Sequence, residues 1–410
     1  MRVLFTVSNW AGDYFCMIPL GWALQAAGHD VRVACTPGQS GVVARTGLTP
    51  VPVLAHPDMM SMARVGHLLL SATGRRVLPG MPLPLHPFTG EPMDSIDEAG
   101  AAQLGLRLFA EMCPPLRHNC DAAVELARAW RPELVCYSLM SMEGALAGRI
   151  VDAPSVYHSP GLIGSAETEP ALDLGQGDPT FSFPRHGVPA WGWDQVEYVV
   201  DPSPPVTPAP IGTATRLPVR YVPYNGPGGD RPERPRAGSR PRVTVIWGSS
   251  GIGIFGPDVP ALRLAIDAAL DAGAEVVLTT TQEQADALGD LPAGVRVLRN
   301  HPLHLLLATS DAIVHHGSAN TLMTGAAEGV PQLALGLSDD SYSISRRLTA
   351  SGAVRALPGL VATAGEIREA MGEVLGDPAI RKAATELRDD MAAMPAPADL
   401  VPALEALAGR

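Results

Sequence analysis

The stretch Ala312-Ile313-Val314-His315-His316-Gly317-Ser318-Ala319-Asn320-Thr321 passes from three apolar, β-prone residues through a small polar turn into a helical run that stops at Gly329. A buried strand feeding a helix through such a turn is the repeating unit of a parallel α/β sheet. The turn offers free backbone N–H groups at the positive end of a helix dipole. It adds an imidazole, an amide and a hydroxyl, a combination suited to a diphosphate. A lone histidine would read as a satisfied structural residue. Two adjacent histidines with Asn320 and Thr321 at a helix start favour anion binding.

The same rhythm extends on both sides. In the second half, apolar runs at Val243–Trp247, Glu275–Thr279, Val295–Leu298 and Gln332–Leu335 alternate with helical segments such as Ala261–Ala272. In the first half, Val3–Ser8, a loop at Asn9–Asp13, a helix over Met17–Ala27 ending at Gly28, and Val31–Cys35 repeat the pattern. Leu134–Tyr137, Ser155–Tyr157 and Val219–Val222 read as further strands, and Leu104–Trp130 as one or two helices. Pro82–Met93 and Thr168–Asp194 read as loops. Residues 225–241 are dense in Pro, Gly and Arg and carry almost nothing to bury, as a linker does. The expected organisation is an N-terminal domain at 1–224, a linker at 225–241 and a C-terminal domain at 242–410, with the last helix free to pack back on the first half. These are two Rossmann-like α/β domains facing across a cleft, and the cleft is the default site.

Composition removes several function classes. The net charge is −12, with 46% hydrophobic and 18% charged residues, which argues against a nucleic-acid or anionic-membrane partner. No apolar run approaches the ~18 residues of a membrane span. The five cysteines, confined to the first third and lacking a C-x-x-C pair, read as reduced thiols, and a soluble, cytoplasmic protein is expected. Val243–Phe255 contains G-S-S-G-I-G after a strand, as short-chain dehydrogenases do. Their catalytic tyrosine and lysine lie four residues apart, however, and here the single lysine, Lys382, has Pro378 four residues before it. What remains is a glycine-rich turn whose amides, with Ser249, suit a phosphate, or else a plain strand-to-helix turn.

These stretches together resemble the family 1 glycosyltransferases of the GT-B fold, above all the bacterial enzymes that attach deoxysugars to polyketides. The opening Met1-Arg2-Val3-Leu4-Phe5, Pro19-Leu20, Ala26–Ala34, Arg131–Val135 and Arg220–Pro227 are similar to that family's motifs. The resemblance implies that His316, Asn320 and Thr321, with Gly317 and Ser318 in the turn, hold the donor diphosphate, while His315 ends the strand. It implies that Asn300, His301 and Pro302 pack against the nucleotide base, although an aromatic residue often begins that segment, and that Asp340 and Ser341 hold the donor sugar. The substrates it implies are a TDP- or UDP-sugar and a hydrophobic natural-product acceptor in antibiotic biosynthesis. The implied transfer is inverting and metal-independent and uses no cofactor beyond the nucleotide-sugar cosubstrate. It leaves room for an activator protein and a homodimer.

The family base is usually a histidine seven residues before the leucine of the Pro-Leu pair. Here that position is Asp13. Asp13 is either the base itself, for an activated phenol or ring carbon, or a group that positions the acceptor. His158 is the reserve base. A non-catalytic sugar-nucleotide binder and a GT-B epimerase are the competing readings.

Overall fold

Runs of aliphatic residues too short and too apolar for surface strands are sealed on both faces. Val3, Leu4 and Phe5 are wholly buried, as are Ile313 and Val314. In the computed structural model, which describes residues 1–78, 80–173, 178–229, 240–256, 259–280, 282–299 and 301–409, such runs form two parallel sheets. The first contains β1 (Arg2–Thr6), β2 (Asp30–Ala34), β3 (Thr49–Val51), β4 (Leu134–Tyr137), β5 (Ser155–His158), β6 (Tyr198–Asp201) and β7 (Thr215–Pro218), in the order β3-β2-β1-β4-β5-β6-β7. The second contains β8 (Arg242–Ile246), β9 (Glu275–Thr280), β10 (Val295–Arg299), β11 (Ala312–His315), β12 (Gln332–Gly336) and β13 (Val354–Pro358), in the order β10-β9-β8-β11-β12-β13. The chain order reverses beside β1 and β4 in one sheet and beside β8 and β11 in the other. The crevice beyond the carboxyl ends of such strand pairs is where open α/β sheets bind ligands.

Several elements depart from the sequence expectation. Val219–Val222 is not a strand: β7 ends at Pro218, and the chain crosses toward the second half, where the Arg220 amide donates to the Pro395 carbonyl at 2.7 Å. The edge of the first sheet is built instead by β6 and β7, and β13 closes one edge of the second. Leu104–Trp130 belongs to one helix, Glu98–Trp130, which runs through Pro114 and Pro115 and is capped by Asp97 accepting from the Gly100 amide. The Pro82–Met93 loop is tied across the cleft by the Leu85 amide donating to the Ile254 carbonyl at 2.8 Å.

The halves share one apolar cluster. Leu322, Met323 and Ala326 of the helix Ala319–Glu328 belong to the same core as Phe5, Val7 and Leu20. The last helix, Pro397–Leu407, lies on the helix Ile18–Ala26 through Leu400, Val401 and Leu404, and Glu405 meets His29 at 2.9 Å. On the opposite flank Arg347 grips Glu167 with both terminal nitrogens (2.9 and 2.6 Å) and reaches Glu169 and the Leu162 carbonyl. Bidentate, largely desolvated pairs of this kind are worth more than surface ion pairs. No helix of the described residues is long and apolar enough to cross a membrane.

Candidate active site

β11 ends at a turn that divides its two histidines between different tasks. His315 is wholly buried. It accepts from the Gly317 amide through Nδ1 (3.1 Å), and its Nε2 lies 3.0 Å from Gln332 Oε1. It therefore shapes the turn. Gly317 has φ +87°, and a Cβ there would fall 2.8 Å from the Ser341 carbonyl oxygen, so glycine is required. His316 lines the cleft. The Gly248 amide donates to its Nδ1 at 3.2 Å, which leaves the proton of the neutral ring on Nε2. Burial pushes its pKa down to about 4, against the opposing pull of the Ile246 carbonyl and the Asp340 charge. The ring is thus neutral at physiological pH. A Cβ at position 248 would come within 2.6 Å of the imidazole, so the glycine after β8 makes room for it.

Ser318 caps the helix Ala319–Glu328, and its hydroxyl lies 2.8 Å from that of Thr321. Ser318, Asn320 and Thr321 all face the cleft. The Asn320 side chain also accepts from the Tyr221 hydroxyl, a link from the end of the first half that the sequence did not announce. Ser249 opens the helix Ser249–Phe255 directly after Gly248.

The acidic pair opens the helix Asp339–Leu348. The two carboxylates diverge. Asp339 is wholly buried and accepts from the Val77 and Leu78 amides at 3.1 and 3.0 Å, which pins the first half to the second. Asp340 lines the cleft with about half of its side chain exposed. Ser341 also borders the cleft, but its hydroxyl closes a capping box with Ser338 at 3.0 Å, so its hydrogen-bonding capacity is largely committed. The base-packing segment is less well placed. Neither His301 nor Pro302 is among the residues lining the cleft; Pro302 precedes the helix Leu303–Leu307. Asn300 lies outside the described residues.

Across the cleft stands the Asp13 carboxylate, in a short helical turn after β1. Its Oδ2 accepts from the Ser138 hydroxyl at 2.5 Å and the Ser8 hydroxyl at 2.9 Å. These donors come from the ends of β4 and β1, the pair flanking the strand reversal. Burial raises the Asp13 pKa to about 6, although Ser138, Ser8 and the Met140 backbone favour the anion. The surrounding wall is apolar: Met59, Met62, Leu69, Leu70, Met140 and Ile163. His158 does not share this cleft. It is 2% exposed, its Nδ1 lies 3.0 Å from the Ser159 carbonyl, and burial lowers its pKa to about 4. A reserve base would have to reach the acceptor in that cleft, and His158 is not among the residues lining it. The cleft measures about 900 Å³, ample for a nucleotide sugar and part of an acceptor. Among the described residues no group of three or more His, Cys, Asp and Glu could hold a metal ion.

Two parallel-sheet halves, a phosphate-suited turn and an opposed carboxylate define the class: a glycosyltransferase of the GT-B fold. Solved structures agree in fold. The spinosyn rhamnosyltransferase SpnG complexed with thymidine diphosphate has a TM-score of 0.73 and 28% identity, covering 99% of this chain and 100% of that one. Residues 102–248 match the N-terminal domain and residues 263–407 the C-terminal domain described as erythromycin biosynthesis protein CIII-like. The chain belongs to that family of antibiotic-sugar transferases. The TDP-daunosamine transferase DnrS of Streptomyces peucetius is 33% identical to it, over 100% of this chain and 97% of that protein. The L-demethylnoviosyl transferase of Streptomyces niveus is 34% identical over 99% and 98%.

Proposed function

We propose that this enzyme transfers a deoxysugar from a TDP-linked donor to a hydroxyl of a hydrophobic natural-product acceptor, with inversion at the anomeric carbon and without a metal ion. The observation that carries the reading is the opposition of Asp13 to His316 across one cleft. The Asp13 carboxylate takes the proton of the acceptor hydroxyl as its oxygen attacks the anomeric carbon. The bond from that carbon to the diphosphate oxygen breaks on the opposite face, and its electron pair leaves with the nucleotide. The growing negative charge meets the His316 Nε2–H and the free amides at the start of the helix Ala319–Glu328. These groups stand in place before the reaction and need little reorganisation. A pKa of about 6 keeps Asp13 ionised at neutral pH yet far more basic than an exposed aspartate. The apolar wall suits a polyketide or aromatic aglycone. A thymine nucleotide is favoured over a uridine nucleotide by the names of DnrS and the SpnG complex alone.

Titration with TDP, UDP and ADP tests the donor site. TDP at a hundredfold excess over its dissociation constant should stabilise the fold by about 2.7 kcal/mol, read as a rise in Tm. No shift with any of the three sinks the reading. A positive result is followed by turnover of TDP-deoxysugars with a panel of aglycones.

A further inference from the structure

A second cluster lies between the halves, and the mechanism above does not use it. His67, on the helix Met59–Ala72, is 8% exposed and lines the cleft. Its ring faces the two carboxylates at the start of the helix Asp339–Leu348. Nδ1 is 4.0 Å from Asp339 Oδ2 and Nε2 is 3.9 Å from Asp340 Oδ1. Both separations are too long for hydrogen bonds. His67 Nδ1, Asp339 Oδ2 and Asp340 Oδ1 are all buried polar atoms without a hydrogen-bond partner. Arg76 Nε, 3.8 Å from Asp339, is a fourth. His67 Nδ1 and Arg76 Nε share the Asp339 carboxylate at ion-pair range, whereas Asp340 Oδ1 has only the His67 Nε2 before it across a gap on the cleft. An unpartnered buried polar atom is costly, and this one marks a place that a ligand satisfies.

The spacing says what fits. An oxygen set about 2.8 Å from both His67 Nε2 and Asp340 Oδ1 would subtend an angle near 90° between them, within the ordinary range for a hydroxyl that donates to one neighbour and accepts from the other. Asp340 is also close enough to His316 for its charge to act on that ring. The gap therefore adjoins the diphosphate turn, with the apolar side chains of the His67 helix beside it.

We infer that His67, although carried by the acceptor half, binds the donor sugar, sharing one sugar hydroxyl with Asp340 and so reading the sugar's substitution pattern across the domain boundary. This rests on the proposed nucleotide-sugar reading. The neighbouring contacts of Asp339 with the Val77 and Leu78 amides hold the two halves at the spacing that the shared hydroxyl needs.

The test is a kinetic cycle on the intact enzyme. His67→Ala and His67→Gln are compared with wild type on a TDP-hexose and its 2-, 3- and 4-deoxy analogues, with TDP affinity measured in parallel. His67→Ala should lower kcat/KM about tenfold for donors that carry the read hydroxyl and leave the one analogue lacking it unchanged. His67→Gln, which retains a donor and an acceptor, should recover part of the loss, and TDP should bind all three proteins alike. An equal loss for every donor, or no loss for any, overturns the inference while leaving the transferase reading intact. Failure of TDP to bind the wild-type enzyme removes the reading beneath it.

Discussion

Asp13→Asn is expected to reduce turnover by about 10² to 10⁴, the range that a positioned general base supplies, without weakening TDP binding. The substitution is close to isosteric, and the Ser8 and Ser138 hydroxyls that now donate to Oδ2 can turn to accept from an amide. The fold should gain rather than lose. The Asp13 pKa is about 6 in the protein against 3.8 for the free group, so folding favours its protonated form. The stability associated with that preference is fully present below about 3.8 and is lost as pH rises through about 6. Above that window the native enzyme carries a desolvated anion that the asparagine variant lacks. The full shift corresponds to about 3 kcal/mol, and about 2 kcal/mol is expected once the partial exposure of the residue is allowed for. Thermal melts should place the variant above wild type at pH 8, with the difference vanishing toward pH 4. An inactive variant that is also less stable at pH 8 would point to a structural role for Asp13.

His316→Ala should lower kcat by about 10² to 10³, the cost of removing one donor aimed at developing charge, and should weaken TDP binding as well. The loss should be the same at every pH from about 5.5 to 8, because burial holds this imidazole neutral with a pKa of about 4 and it acts through a neutral N–H. A pH-dependent loss would mean that an imidazolium does the work. His315→Ala makes the contrast. That ring lies beneath the turn, bonded to Gly317 and Gln332, so its removal should lower stability first and activity only through the turn.

The strand–turn–helix unit of the proposed donor site was readable because its signal is local. A strand, a polar turn and a helix within seventeen residues form the proposed diphosphate cradle, and the two histidines differ in their distance from the strand. Asp13 was reachable because it sits at a fixed interval from Pro19 and Leu20 in a short loop. What escaped detection depends on residues far apart in the chain. The split within the acidic pair was not legible, because nothing near it shows that Asp339 would bond amides 262 and 261 positions away. His67 was hidden in the methionine- and leucine-rich stretch Met59–Leu78, which suits an apolar acceptor pocket and a plain core helix equally, and Tyr221 in a segment that reads as a strand. β6 and β13 were missed because each is a short run beside proline or polar residues, stabilised by pairing with a neighbour rather than by its own pattern. His158 was misplaced for a related reason: a strand-end histidine can face the cleft or the core, and the sequence does not say which.

The proposed role of Asp13 as the base is tested most directly by the pH dependence of kcat/KM. With an accepted aglycone, the wild-type profile should fall on the acid side as one group with an apparent pKa of about 6, and the residual activity of Asp13→Asn should show no such limb. A wild-type profile that is flat between about pH 5 and 8, or an acid limb that survives unchanged in Asp13→Asn, would contradict it.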